Sequence, residues 1–345
     1  MEEKAAPLRD AWYYAMPSRA LRQGRLLART MLGEPVVLGR GRDGRPFALR
    51  DLCPHRGMPL SAGRLVGGEI ECCYHGWRFA PDGRCTAIPS LAAGQEFDLA
   101  QAAVPRYEAR EVQGGVWVFF GEDPGAAPEI PLLDGFAESA APRLVETMRF
   151  PAALDHAVIG LMDPAHGPFV HNAWWWRSRR SIHEKAKEFA PSPFGFTMLR
   201  HAPSRNSRAY RLLGGVPETE IAFRLPSVRI EEIRAGRTRV ANLTALTPID
   251  AETTLVSHCV YWNAPWLSLL KPALRPYVRA FLRQDRDIME RQQQGLRFGP
   301  VLSLVDDADL QARWYYRLKE EYRRARGEMR PFANPVKAKT LRWRS

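Results

Sequence analysis

The sequence predicts an α+β protein of two domains, and three observations carry that reading. Residues 12–120 alternate short β-prone runs with tight turns, and residues 121–134, G-E-D-P-G-A-A-P-E-I-P-L-L-D, form a Pro- and Gly-rich break. Beyond the break, further β-rich runs are followed by two long stretches with apolar residues at helical spacing. A chain of 345 residues has room for two cores, expected over residues 1–125 and 135–345.

Within the first half, Val36–Leu38 and Pro46–Arg50 flank G-R-D-G, and residues 107–112 and 116–120 flank Q-G-G, the pattern of a small antiparallel β domain. In the second half, residues 154–162 suit a short helix that Asp163-Pro164 stops. The runs F-T-M-L, E-I-A-F-R-L, V-R-I-E-E-I, R-V-A-N-L-T-A-L and T-L-V-S-H-C-V-Y-W then supply a sheet. Residues 272–294 and 307–326 supply the helices that cover it.

Composition narrows the class. The formal charge is +12, but the basic residues are scattered, with a basic C-terminal tail from Arg323 onward, so no nucleic-acid partner is expected. Five cysteines make no disulfide framework, and thiolate ligands suit a reducing, cytoplasmic setting. Residues 1–10 have mixed charge and no apolar core, so neither a signal peptide nor a transmembrane segment is expected. The basic, apolar stretch from Trp266 to Leu282 reads as a helix packed on the sheet, and its composition also suits a peripheral membrane contact or a greasy substrate.

Chemistry concentrates in residues 52–79. Cys53 and His55 are followed after sixteen residues by Cys72 and His75, giving C-x-H-x16-C-x2-H. A structural zinc site is the alternative for such a set, but zinc fingers of this composition usually keep the two Cys together and the two His together, whereas here each pair joins one of each. Two thiolates on one iron and two imidazoles on the other define a Rieske-type 2Fe-2S centre, whose neutral imidazoles raise its potential. Pro54, Gly57, Pro59 and Gly76 bend the two ligand loops. Farther on, Asp163, His166 and His171 stand as D-x2-H-x4-H, which alone could be loop polar residues.

The strings C-P-H-R and C-C-Y-H-G-W resemble the Rieske domain of ring-hydroxylating and related non-haem iron oxygenases, with Cys73 where that family usually has Pro. Respiratory Rieske proteins carry an extra Cys in each loop, where this chain has Met58 and Tyr74. The resemblance spans residues 12–326 and implies that His166 and His171 bind a mononuclear ferrous iron. It assigns the third ligand to Asp285 in the Q-D-x4-E string that ends at Glu290, with Asp287 as runner-up. One carboxylate and two imidazoles leave open positions for dioxygen and substrate. The resemblance also makes Asp163 an electron-transfer bridge from His166 to His75 of a neighbouring subunit, in a homotrimer, although Ile159-Gly160 departs from the family just before it.

The implied function is that of a terminal oxygenase component of the vanillate- and dicamba-type monooxygenase and demethylase branch. Electrons come from NAD(P)H through a separate reductase or ferredoxin, and an organic substrate, first an aromatic acid, is hydroxylated or demethylated. A terpenoid or sterol-like lipid is the alternative substrate, and a non-catalytic Rieske electron carrier is the alternative of another class. His156, His183, His201 and His258 have no partner at ligand spacing and read as structural. Trp174–Trp176 reads as core packing, and Arg177, Arg179 and Arg180 leave room for a substrate carboxylate.

Overall fold

The structure, a computed structural model, describes residues 6–345 except 124, 126–127, 172–178, 180–181, 204–212 and 214. The chain divides into two compact units, one of residues 9–132 with 137–141, the other of residues 6–8, 133–136 and 142–345. No helix among the described residues is long and apolar enough to cross a membrane.

The first unit is built from three small antiparallel sheets. β1 (Ala11–Pro17) is a run of buried, mostly aromatic and aliphatic residues, and it pairs with β11 (Gly115–Phe120), which also pairs with β10 (Ala109–Val112). β2 (Leu27–Met31), β3 (Glu34–Arg40), β4 (Pro46–Arg50) and β9 (Arg106–Tyr107) make the second sheet. β5 (Arg64–Val66), β6 (Glu69–Glu71), β7 (Arg78–Phe79) and β8 (Cys85–Ala87) make the third. Val37, Leu49, Leu60, Ile70 and Phe79 form a core shared by Cys53 and Cys72, so both ligand loops are rooted in packed side chains.

The second unit is one eight-stranded antiparallel sheet with helices. Its strands are β12 (Leu144–Phe150), β13 (Glu184–Ser192), β14 (Gly195–His201), β15 (Pro217–Arg224), β16 (Val228–Ala235), β17 (Thr238–Pro248), β18 (Thr254–Trp262) and β19 (Lys339–Arg344), in the order β12-β18-β17-β16-β15-β14-β13-β19. The helices are α1 (Leu154–Met162), α2 (Gly167–Val170), α3 (Lys271–Leu296) and α4 (Leu310–Gly327). This is the α+β architecture expected from the sequence.

α1 spans the expected nine residues and stops where expected, since Pro164 follows its last turn. A Cβ on Gly160 would come within 2.8 Å of the end of the Met289 side chain, so α1 and α3 are in close contact there. Deeper in the unit, the Asp155 carboxylate of α1 accepts hydrogen bonds from Tyr315 (2.6 Å) and Lys319 (2.5 Å) of α4. Those two contacts fix the helix that leads into the Asp163 turn.

The C-terminal segment corrects the expectation of a basic tail. β19 pairs with β13 from Glu184↔Arg344 to Phe189↔Lys339 and buries Leu341 and Trp343. K-T-L-R-W-R is dominated by cations, and its two apolar residues are spaced for a strand that exists only because β13 offers an edge. The 266–282 stretch packs as expected: Leu267, Leu274 and Val278 join a core with Ile233, Val260 and Trp262.

Candidate functional site

In the first unit, two loops of matching geometry present the Cys/His pairs. The Cys53 N–H donates to Met58 O (2.8 Å) and the Gly57 N–H to Cys53 O (2.8 Å); the Cys72 N–H donates to Trp77 O (2.8 Å) and the Gly76 N–H to Cys72 O (3.0 Å). Both turns close through a glycine at positive φ, +69° for Gly57 and +70° for Gly76. The Cys side chains are buried, while His55 and His75 lie nearer the surface with ring centroids 4.4 Å apart. Trp77 stacks on His55 at 4.7 Å and 3°.

The electrostatics of this cradle suit an iron–sulfur cluster. Burial pushes the Cys53 thiol up to about 11, with the neighbouring Cys72 adding to the effect, so bound metal charge would be needed to hold the Cys53 sulfur as a thiolate near neutral pH. His55 is held below its ordinary value, by burial first and then by the His75 and Arg56 charges, which keeps an imidazole lone pair available. Cys73 is exposed, apart from the buried Cys53 and Cys72.

In the second unit, three ligand-type atoms converge. One from each of His166, His171 and Asp285 lies within 4.8 Å of the other two. The two Nε2 atoms are 3.2 Å apart, and Asp285 Oδ1 lies 3.1 Å from His171 Nε2 and 3.7 Å from His166 Nε2. Asp287 does not join them; it pairs with Arg286 at 2.5 Å and stays half exposed. Two neutral nitrogen donors and one anionic oxygen on one side of a point are a donor set for ferrous iron.

The other ring nitrogens face Asp163 and Gln284, at hydrogen-bond distance only for Gln284. Asp163 Oδ1 accepts from the Ala165 N–H (2.7 Å), which fixes the turn, while Oδ2 stands 3.5 Å from His166 Nδ1. Burial pushes the His166 imidazole down, but the Asp163 and Asp285 carboxylates outweigh it, so its affinity for a proton is raised. His171 Nδ1 lies 3.0 Å from Gln284 Oε1, and its ring stacks on Phe281 at 3.7 Å. An amide oxygen only accepts, so Nδ1 carries the hydrogen and Nε2 keeps its lone pair for a metal. Phe281, Gln284 and Asp285 share one face of α3 at i, i+3 and i+4.

The triad forms part of the wall of a cavity of about 460 Å³ within this unit. One face of the sheet forms another wall, in three cross-strand rows. Phe196, Phe223, Arg229, Thr244 and His258 make one row, Met198, Ile221, Glu231, Asn242 and Val260 the next, and Thr219, Ile233, Val240 and Trp262 the third. His201 and His258, expected as structural, both line the cavity. Trp174–Trp176, Arg177 and Arg180 lie outside the described residues; Arg179 sits over the Phe169 ring at 5.6 Å.

Comparison with known proteins gives two matching family models. Residues 11–108 match the Rieske [2Fe-2S] domain and residues 160–320 the vanillate O-demethylase oxygenase C-terminal domain. The chain belongs to the Rieske oxygenase family. The chain is 33% identical over 187 residues to Protein TIC 55, chloroplastic, of Arabidopsis thaliana, covering 52% of this chain and 34% of that protein. It is 31% identical over 169 residues to the chloroacetanilide N-alkylformylase oxygenase component of Rhizorhabdus wittichii, covering 48% of this chain and 47% of that one. The chain thus spans between a third and a half of these relatives' length. A crystal structure of dicamba monooxygenase bound to dicamba superposes with a TM-score of 0.75 at 22% identity, over 92% of this chain and 100% of that one, a likeness of fold.

The family's cofactors are a 2Fe-2S cluster and a mononuclear iron that works with dioxygen, and the two donor sets of this chain fit them in kind and number. Sequence reading missed Gln284 and Phe281, although the helical spacing around Asp285 carried a signal for them. It also missed Arg229, Glu231, Asn242 and Thr244. Their alternation with apolar residues reads as a solvent-facing strand, yet that face lines the cavity.

Proposed function

We propose that this chain is a terminal oxygenase component that oxidises an organic small molecule with dioxygen. In this reading Cys53, His55, Cys72 and His75 hold the cluster, and His166, His171 and Asp285 hold the mononuclear iron. The observation that carries it is the convergence of the last three at the wall of an apolar cavity. When bound, the cluster would supply one-electron storage and the ferrous iron a site for dioxygen activation. The chain's own residues do the rest. Asp163 and Gln284 orient the two imidazoles, the aliphatic and aromatic walls exclude water, and the cavity volume suits a substrate of one or two rings.

The remaining parts of the reading rest on the family. A hydroxylating or demethylating monooxygenase fits the C-terminal domain match, with a division of labour between residues 1–125 and 135–345. Electrons come from a separate reductase or ferredoxin that draws on NAD(P)H. Three copies close into a ring in which Asp163 of one chain meets His75 of the next. The five free cysteines support a reducing compartment, and we place the protein in the cytoplasm.

Metal analysis and product analysis test the proposal together. The expected result is about three irons per chain, two in the cluster and one beyond it, with label from dioxygen in the product or in the group removed. A preparation that relays electrons, holds two irons and never binds a third makes the chain an electron carrier instead.

A further inference from the structure

The cavity carries a polar island opposite its greasy walls, on the middle strands of the sheet. Arg229 and Glu231 of β16, Asn242 and Thr244 of β17 and His258 of β18 sit in adjacent register, Arg229↔Thr244↔His258 and Glu231↔Asn242. Around them the same face presents Phe196, Ile221, Phe223, Ile233, Val260 and Trp262. Arg229 and Glu231 keep 19% and 17% of their side-chain surface accessible. Both line the cavity, as do the other three.

The island is internally matched in charge. Arg229 Nη1 donates to Glu231 Oε2 at 3.2 Å, and His258 Nδ1 bonds Thr244 Oγ1 at 2.8 Å. Burial, with the Arg229 cation adding to it, pushes His258 down to about 4, so its ring is neutral at physiological pH. Burial pushes Glu231 up, but the Arg229 charge and the hydrogen bonds from Arg229 and Asn242 outweigh it and hold the carboxyl ionised. One cation and one anion therefore cancel. The two lysines on the cavity wall, Lys185 and Lys187, stand on β13, three strands from β16 and so about 14 Å away. They bond Ser345 Oγ (2.8 Å) and Ala202 O (3.2 Å).

Hydrogen-bonding capacity remains after these contacts. Asn242 lies opposite Glu231 in register, and its amide carries two N–H donors and a carbonyl, more than one contact with an acceptor-only carboxylate uses. With Nδ1 of His258 committed to Thr244, its Nε2 is the second polar atom of that ring. The island and the triad line the same cavity, which places both within reach of one bound molecule.

We propose that Asn242 and His258, backed by the Arg229–Glu231 pair, anchor the polar group of an uncharged aromatic substrate, an amide or a group of similar donor and acceptor character. A carboxylate would add a buried negative charge beside Glu231, where the described residues of this part of the wall offer no uncancelled cation. The substrate class is thus a neutral ring compound, and it narrows the aromatic acid that the resemblance suggested. The proposal rests on the reading of the cavity as the oxygenase's substrate site.

Two probes of equal size, 3-methoxybenzamide and 3-methoxybenzoate, separate the alternatives. Binding to the iron-loaded protein at pH 7.5 is measured by calorimetry, with the quenching of Trp262 and Trp266 as a second signal. The amide is expected to bind at least about tenfold more tightly than the acid, and His258→Ala to weaken the amide about tenfold with the iron content unchanged. Glu231→Gln releases the Arg229 charge and should shift the preference toward the acid by at least about tenfold. Equal or tighter binding of the acid by the unaltered protein, an unchanged preference in Glu231→Gln, or binding of neither probe overturns the proposal. Three irons with no binding of the amide defeats this assignment alone, whereas two irons defeats the oxygenase reading.

Discussion

At the scale of single residues, position on a helix separates carboxylates that composition cannot. Asp285 and Asp287 lie two residues apart on α3, about 200° around its axis, and only Asp285 faces the two histidines. Asp285→Ala is therefore expected to lose the mononuclear iron and keep the visible spectrum of the cluster, while Asp287→Ala keeps both. Iron counts beside absorption spectra check it, and the opposite pattern would reassign the third ligand. Gln284 acts one bond farther out. Gln284→Leu removes the acceptor that fixes the His171 tautomer, so ferrous affinity should fall about 10- to 100-fold. Competition with a chelator measures this directly, without turnover.

Two contacts at the scale of elements set how firmly the helices hold the site. Lys319 is buried against Asp155, and burial pulls the lysine below its ordinary value while the aspartate opposes it. Asp155→Ala would strand that cation and remove the acceptor of the Tyr315 hydroxyl hydrogen bond, at an expected cost of about 3–5 kcal/mol, read from the urea midpoint. Asp155→Asn should cost less, since it can still accept from Tyr315. At the far end of α4, Glu321 accepts from Arg330 (2.6 Å) and from the Ala333 N–H (3.2 Å), and it also pairs with Arg324. The Arg330 hydrogen bond, ahead of the Arg324 and Ala333 contacts, holds its carboxyl down at about 2. A depressed carboxylate stabilises the fold above its unfolded value of roughly 4.3, and that contribution is lost as pH falls toward about 2. Denaturation of Glu321→Gln beside the unaltered protein should show a gap at pH 6 that closes between about pH 4.5 and 2. A gap that stays constant over that range would mean that Glu321 contributes by packing alone.

At the scale of the whole molecule, the proposed ring gives Asp163 a role beyond its own turn. A head-to-tail contact between identical chains closes only by rotation, so the active species is expected to be a trimer and not a monomer. Asp163→Asn, assayed with ferrous iron in excess so that about three irons per chain are held, should still lower turnover by more than about tenfold, because the bridge is lost even where the metal is kept. Sedimentation with activity across the boundary checks the first point, and iron counts with initial rates the second. A fully active monomer would remove the bridge from the mechanism.

The fold class was legible because strand and helix periodicities are local, and α1 ends at Met162 because Pro164 forbids another turn. The two ligand loops were legible because their Cys, His and Gly lie within a few residues of one another. Longer-range matters were not. K-T-L-R-W-R has the composition of a solvated tail, and only the open edge of β13 turns it into β19. Arg229, Glu231, Asn242, Thr244 and His258 are up to 29 residues apart in sequence and meet only through strand register. Alternation showed that they share a face, but the tertiary structure decided that this face encloses a cavity, because covering a sheet with helices is a property of the assembled layers and of no single strand.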